Sequence, residues 1–108
     1  MRDGIYKVHF KTQRGEGAGV VILQGGKLRG GDSGMYYIGT YQQNGDDFTA
    51  DVETGVHTRT PGIGSVFGLD NVHIKLTGKT NGDSAQMSGK AREAANVSFH
   101  AAMTRIGD

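Results

Sequence analysis

The chain consists of consecutive short segments in which apolar and polar residues alternate. Glycine-rich positions separate these segments. In the first segment Tyr6, Val8 and Phe10 alternate with lysines and a histidine, which is the period of a strand with one buried face. The same period returns up to the C-terminal region. It predicts eight β-strands, near residues 4–12, 17–24, 27–30, 34–42, 47–57, 71–79, 84–91 and 96–105.

The links between these segments have the composition of tight turns. Gly25-Gly26, Asn44-Gly45 and Asn81-Gly82 suit the positive φ angles of short hairpin loops. Sequential hairpins make neighbouring strands antiparallel, and eight of them can hide their edges by closing. We therefore predict one domain, residues 1–108, folded as an all-β, up-and-down barrel of the calycin or lipocalin type. A β-sandwich is the alternative, because alternation does not reveal closure.

Residues 58–70 do not alternate cleanly and contain Pro61, the only proline. Ile63, Val66 and Phe67 are too apolar for a solvated loop. We predict a long connection that folds back and caps one end of the barrel, either as a plug for the core or as a lid or partner contact.

The inward face defines a candidate cavity. An eight-stranded barrel is just wide enough to be filled by its side chains or to hold one small ligand. We predict that six residues line the interior and would contact a small apolar ligand there: Tyr6, Phe10, Tyr37, Val52, Ile74 and Phe99.

The second and fourth strands are apolar on both faces, which predicts an exposed patch on one side of the barrel. We expect it to contain Val21, Leu23, Tyr36 and Ile38, or Val20 and Ile22 if the register is shifted by one residue. Such a patch is a candidate protein interface, unless nearby loops cover it. Because 19 glycines leave few large aliphatic side chains among 108 residues, we expect a homodimer.

Composition narrows the classes of function. A formal charge of +1 from 12 basic and 11 acidic residues gives no electrostatic footprint for nucleic acid, so direct nucleic-acid binding is not expected. Cysteine is absent, which agrees with a reducing compartment. The longest apolar run, Val20 to Leu23, is too short to span a membrane. We expect a cytoplasmic protein.

No pattern in the chain predicts catalysis, a cofactor or a metal site. Gly31-Asp32-Ser33-Gly34 matches the sequence around the nucleophilic serine of trypsin-like proteases, but a single small domain cannot form their active-site cleft. We interpret the motif as a turn closed by Asp32. His9, His73 and His100 fall on the polar faces of their strands and are expected to point to solvent. We therefore predict a protein that is not an enzyme.

Several pieces in order resemble the GrlR family: Asp3-Gly4-Ile5-Tyr6, Gly17-Ala18-Gly19-Val20, Gly30-Gly31-Asp32, Tyr37-Ile38-Gly39-Thr40-Tyr41, and Pro61 with Ser65-Val66-Phe67-Gly68-Leu69. The match covers most of the chain, although the last third is similar only in pattern. The resemblance implies a dimeric, calycin-like barrel in the cytoplasm. It also implies a negative regulator that binds and restrains the transcriptional activator of a type III secretion system.

One hairpin departs from that family. The family carries four consecutive acidic residues between its fourth and fifth strands, where this chain has only Asp46 and Asp47. If these two acids are the remaining partner contact, fewer charges should weaken the attraction of a basic partner. The departure leaves open that this chain binds a different activator or another partner altogether.

Overall fold

The computed structural model describes residues 1–59 and 69–108, and within them the chain forms a closed, eight-stranded antiparallel β-barrel. The predicted segment 58–70 falls largely on residues 60–68, which lie outside the described residues. The strands are β1 (Gly4–Thr12), β2 (Gly15–Gln24), β3 (Lys27–Gly31), β4 (Met35–Asn44), β5 (Asp47–Val56), β6 (Asn71–Asn81), β7 (Ser84–Ala91) and β8 (Ala94–Gly107).

Each strand pairs with the next in sequence, and β1 pairs with β8 to close the barrel. The up-and-down barrel predicted from the alternation is therefore confirmed, and the sandwich is not formed. Strand boundaries differ from the prediction by a few residues. The largest difference is in β8, which was predicted over 96–105 and extends at both ends because its pairing with β7 reaches Ala94 and its pairing with β1 reaches Gly107.

Glycines set the turns and the curvature. Gly25 and Gly26 of the β2–β3 turn both have positive φ, whereas in the β4–β5 and β6–β7 turns only the first loop residue, Gly45 or Gly82, does so. Inside the barrel, a Cβ atom on Gly39 would lie 2.0 Å from the carbonyl oxygen of Asp51. Only a residue without a side chain allows the strands to come this close, and the sheet can then curl into a narrow barrel.

The core lies inside the barrel and follows the period-2 pattern. Its inward side chains come from all eight strands, so burial joins the two ends of the chain in one cluster. Among the described residues there is no helix with the length and hydrophobicity needed to cross a membrane. The largest fully buried side chains are Tyr6, Leu23, Phe48, Val72 and Met103.

One end of the barrel is tightly closed. Tyr41 stacks on Phe48 with ring centroids 5.5 Å apart, and Met1 packs against the core cluster. The Tyr6 hydroxyl donates a hydrogen bond to the carbonyl oxygen of Arg2, whose guanidinium pairs with Asp83 at 2.6 Å. We call this the closed end; it also holds the β2–β3, β4–β5 and β6–β7 turns.

Candidate ligand cavity and outer surface

The other end of the barrel opens into a cavity of about 830 Å³. We call this the open end; it holds the β1–β2, β3–β4 and β7–β8 turns, the last residues of β5 and the first residues of β6. The cavity reaches from the rim down to an apolar floor in the middle of the barrel, formed by Leu28, Met87 and Met103.

Five of the six residues predicted to line the interior do line this cavity: Phe10, Tyr37, Val52, Ile74 and Phe99. The sixth, Tyr6, is fully buried at the closed end and does not line it. The prediction thus identified inward-facing residues, but alternation does not say how far along the barrel axis each one lies.

Three aromatic rings form one wall of the cavity. Phe10 stacks on Phe99 with centroids 6.0 Å apart, and it meets Tyr37 edge to face at the same distance. Two glycines of β2 make room for these rings. A Cβ atom on Gly17 would lie 2.7 Å from the Phe10 ring, and one on Gly19 would lie 2.7 Å from the Tyr37 hydroxyl. The Phe10 and Tyr37 rings therefore lie against the β2 backbone and leave room for the cavity beside them.

Polar groups meet the aromatic wall at the β3–β4 turn. The Asp32 carboxylate accepts hydrogen bonds from the backbone N–H groups of Gly34 (3.0 Å) and Met35 (2.8 Å), so the predicted turn closed by Asp32 is confirmed. Its other oxygen accepts a hydrogen bond from the Tyr37 hydroxyl. Burial, together with this bond, raises the pKa of Tyr37 well above its ordinary value, so the hydroxyl keeps its proton and remains a donor.

The end of β5 holds this turn in place. The backbone N–H of His57 donates to the carbonyl oxygen of Gly34 at 2.9 Å, and the His57 ring lies 2.9 Å from the carbonyl oxygen of Asp32. Next to it, Arg59 forms two hydrogen bonds with Asp70, at 3.1 and 2.5 Å. Both Arg59 and Asp70 line the mouth of the cavity.

The outer face of β2 and β4 carries exposed aliphatic side chains, but not all of the predicted ones. Val21 and Leu23 are buried, which corrects their assignment to the patch; Val20 and Ile22, the alternative register, point outward and are each 47% exposed. β2 is apolar at both odd and even positions, so only its pairing with β1 determines which face is buried.

Ile38 points outward as predicted and is 53% exposed. In the pairing register it is separated from Ile22 by Arg29 on the short strand β3. Tyr36 is only half-buried, and its ring covers Gly55 on β5: a Cβ atom there would lie 2.5 Å from the ring. The patch therefore consists of separate aliphatic side chains around an arginine.

The acidic hairpin lies at the closed end, far from the cavity mouth in the barrel topology. Asp46 and Asp47 are both exposed, and Asp47 forms an ion pair with Lys79 of β6. This pairing reduces the negative charge that the hairpin presents to a partner.

The histidines are distributed over the outside. His9 lies 3.2 Å from Glu16, and the His73 ring lies 2.5 Å from Glu93 in the β7–β8 turn. Glu93 also accepts the backbone N–H of His73; this bond, followed by that of the ring, lowers the pKa of Glu93 to about 2. Within residues 1–59 and 69–108, no three histidine or acidic side chains are grouped so that they could hold a metal ion.

Comparisons with known proteins add no relative. No family model matches this sequence, and no curated protein matches it. The cavity and the outer face are therefore interpreted from their own geometry.

Sequence reasoning missed the contact between Asp32 and Tyr37. It found the turn and the inward tyrosine separately, because each is a local pattern. Their contact depends on the turn folding back over β4, and the only sequence signal is the short separation between the two residues. It also missed Thr54, which pairs with Tyr37 across β4 and β5 and lines the same cavity.

Proposed function

We propose that this protein is a non-enzymatic binding protein that holds one small apolar molecule in the open half of its barrel. The observation that carries the proposal is the cavity of about 830 Å³ at the open end. Ligand sites of drug-sized molecules typically measure about 300–1,000 Å³ and combine apolar walls with a few fixed polar groups. The aromatic wall and the apolar floor supply the apolar surface, and the Asp32 turn supplies the fixed polar groups.

The polar groups of the cavity support binding more than catalysis. Asp32 accepts hydrogen bonds from two backbone N–H groups and from Tyr37, so its carboxylate is fixed in the turn. A general base needs a proton to abstract and a partner that reacts. Here the hydroxyl beside the carboxylate already donates to it, and burial keeps that hydroxyl protonated.

Titration with a neutral fluorescent dye, N-phenyl-1-naphthylamine, tests this proposal. We expect saturable binding with one dye per barrel, weakened by Val52→Phe, which adds volume to the cavity wall. Ile38→Ser is the control, because it removes an exposed aliphatic side chain from the outer face. The proposal would be wrong if the wild type bound no dye, or if binding were lost in the Ile38 variant and not in the Val52 variant.

Independently, native mass spectrometry of the purified protein would identify any ligand that copurifies.

A second proposal is a cytoplasmic regulator that acts by contact with a transcription regulator, in the manner of the GrlR-type negative regulators of type III secretion. The ordered resemblance supports it, and so do the outward-facing Val20, Ile22 and Ile38. The acidic hairpin supports it less, because Lys79 already pairs with Asp47. The same outer face is our proposed homodimer contact, with Tyr36 at its edge.

Affinity capture from the native host tests the regulatory proposal. Recovery of a transcription regulator by the wild-type chain, and its loss with Ile38→Glu, would support contact through the outer face. Asp46→Lys combined with Asp47→Lys should mainly slow association with a basic partner, since exposed charge pairs contribute about 0.2–1 kcal/mol each.

Sedimentation equilibrium tests the dimer separately. Ile38→Glu should shift a dimer towards monomer, whereas Thr77→Glu, an exposed change on β6, should not. A wild-type protein that is monomeric at micromolar concentration would contradict the dimer.

A further inference from the structure

Negative and positive charges at the cavity mouth do not balance, and this imbalance affects which molecules the proposed ligand site would accept. Asp32 and Tyr37 lie side by side in the cavity wall, within the same open half as Thr54. Asp32 has two carboxylate oxygens; one accepts two backbone N–H groups and the other accepts only the Tyr37 hydroxyl. A carboxylate oxygen has room for two donors, so the second oxygen can accept another hydrogen bond.

The positive charges that could balance Asp32 are already engaged. Among the described residues lining the cavity, Arg59 is the only lysine or arginine, and both of its terminal nitrogens bond to Asp70. His57 approaches the backbone carbonyl oxygen of Asp32 and not its carboxylate. Residues 60–68, Thr-Pro-Gly-Ile-Gly-Ser-Val-Phe-Gly, contain no charged side chain.

At the rim, Glu16 adds another carboxylate and is balanced by His9 only when that histidine is protonated. Among the described residues that line the cavity, a bound carboxylate would therefore meet negative charge and no unpaired lysine or arginine. A bound ammonium group would meet an acceptor that is fixed in place, and a charge-assisted hydrogen bond is about twice as strong as a neutral one.

We propose that the cavity selects an apolar molecule that carries a positively charged, hydrogen-bond-donating nitrogen at one end, with Asp32 as the acceptor of that nitrogen. Tyr37 is a positioning residue: its hydroxyl holds the carboxylate at the aromatic wall. The apolar part of the ligand lies against Val52 and Ile74 and extends to the apolar floor. This inference rests on the proposed ligand-binding function and adds the chemical class of the ligand.

Three probes of equal chain length separate the charge preference from apolar binding: dodecylamine, dodecanol and dodecanoic acid, each used to displace the neutral dye at pH 7 and low salt. We expect dodecylamine to bind more tightly than dodecanol by about tenfold, the ratio that one charge-assisted hydrogen bond can supply. Dodecanoic acid should be the weakest of the three.

Asp32→Asn tests the acceptor, because the amide keeps the shape of the side chain and removes its charge. We expect this variant to lose the preference for dodecylamine while binding dodecanol as the wild type does. Asp46→Asn is the matched control, since it removes the same charge from the hairpin at the closed end. Tyr37→Phe should reduce the preference only in part, because the two backbone N–H groups still hold Asp32.

The outcomes distinguish a failure of the proposed charge selectivity from a failure of the proposed ligand-binding function. Binding of all three probes with no preference, or tighter binding of dodecanoic acid, overturns the charge selectivity and leaves the cavity function standing. If Asp46→Asn and Asp32→Asn lose the preference for dodecylamine equally, the preference arises from overall charge, and the selectivity assigned to Asp32 is also overturned. If neither the dye nor any probe binds, the proposed ligand-binding function and this inference both fall.

Discussion

The two ends of the barrel follow the same alternation and yet differ in their interiors. At the closed end the inward positions hold large side chains, such as Leu23 and Phe48, which are completely buried. At the open end β2 presents Gly17 and Gly19 inward, and the rings of Phe10 and Tyr37 lie against their backbone. The difference arises along a single strand, from glycine at one end to leucine at the other.

This contrast shows that side-chain size, and not the fold pattern, decides where a barrel is solid. Binary alternation requires only that inward residues be apolar or small. Large residues interdigitate to the packing density of a protein interior, whereas glycines remove volume and leave space that a ligand can fill. The closed end therefore stabilises the fold, and the open end is available for binding.

The largest effect that tests this contrast is truncation of a ring at each end. Phe48→Ala should lower the free energy of unfolding by about 3–5 kcal/mol, because the ring is fully buried and stacked on Tyr41. Phe10→Ala should cost less, because the Phe10 ring already borders the cavity. Urea unfolding of both variants measures the difference. Equal losses would show that the open half is packed as tightly as the closed half.

A smaller effect comes from adding volume. Ala85, at the closed end, is almost fully buried, and Ala85→Leu should destabilise the protein by about 1–3 kcal/mol through overpacking. Ala101 lines the cavity, so the same change there should alter stability by less than about 1 kcal/mol and weaken dye binding. The pair is matched in chemistry and differs only in position. If Ala101→Leu proved the more destabilising of the two, the cavity would not be free space.

The smallest effect concerns acid and the β7–β8 turn of the open end. The bonds from His73 lower the pKa of Glu93 from 4.5 to about 2, so the folded state favours its charged form. A lowered pKa stabilises the fold fully above pH 4.5, and this contribution is lost as the pH falls towards 2. Glu93→Gln should therefore flatten the stability profile between these pH values. Urea unfolding at several pH values measures this change in slope; an unchanged slope would mean that His73 does not hold the Glu93 carboxylate.

The fold could be predicted from the sequence because its signals are local. Alternation and the glycine turns at Gly25, Gly45 and Gly82 each depend on neighbouring residues, and they were enough to predict the antiparallel strand order and to favour the barrel. Closure itself, through the pairing of β1 with β8, is not visible in the alternation. The face of β2 was harder, since Val20 and Val21 are equally apolar. Its pairing with β1, which places Tyr6 opposite Val21, determines the buried side.

The candidate site was predictable only in part. Inward aromatic residues were found by their period, but the free space between them depends on glycines on a neighbouring strand. The contact of Asp32 with Tyr37 depends on the shape of a turn, which sequence spacing does not specify. The chemistry of the site is therefore a property of the closed barrel.

Methyl NMR during titration with N-phenyl-1-naphthylamine tests the central claim, a ligand cavity confined to the open half, most directly. The account predicts shifts of the Val52 and Ile74 methyl signals, which line the cavity, while the Leu23 signals at the closed end remain unchanged. Shifts limited to Ile22 and Ile38 would place the dye on the outer face. That result, or the absence of any shift, would contradict the account.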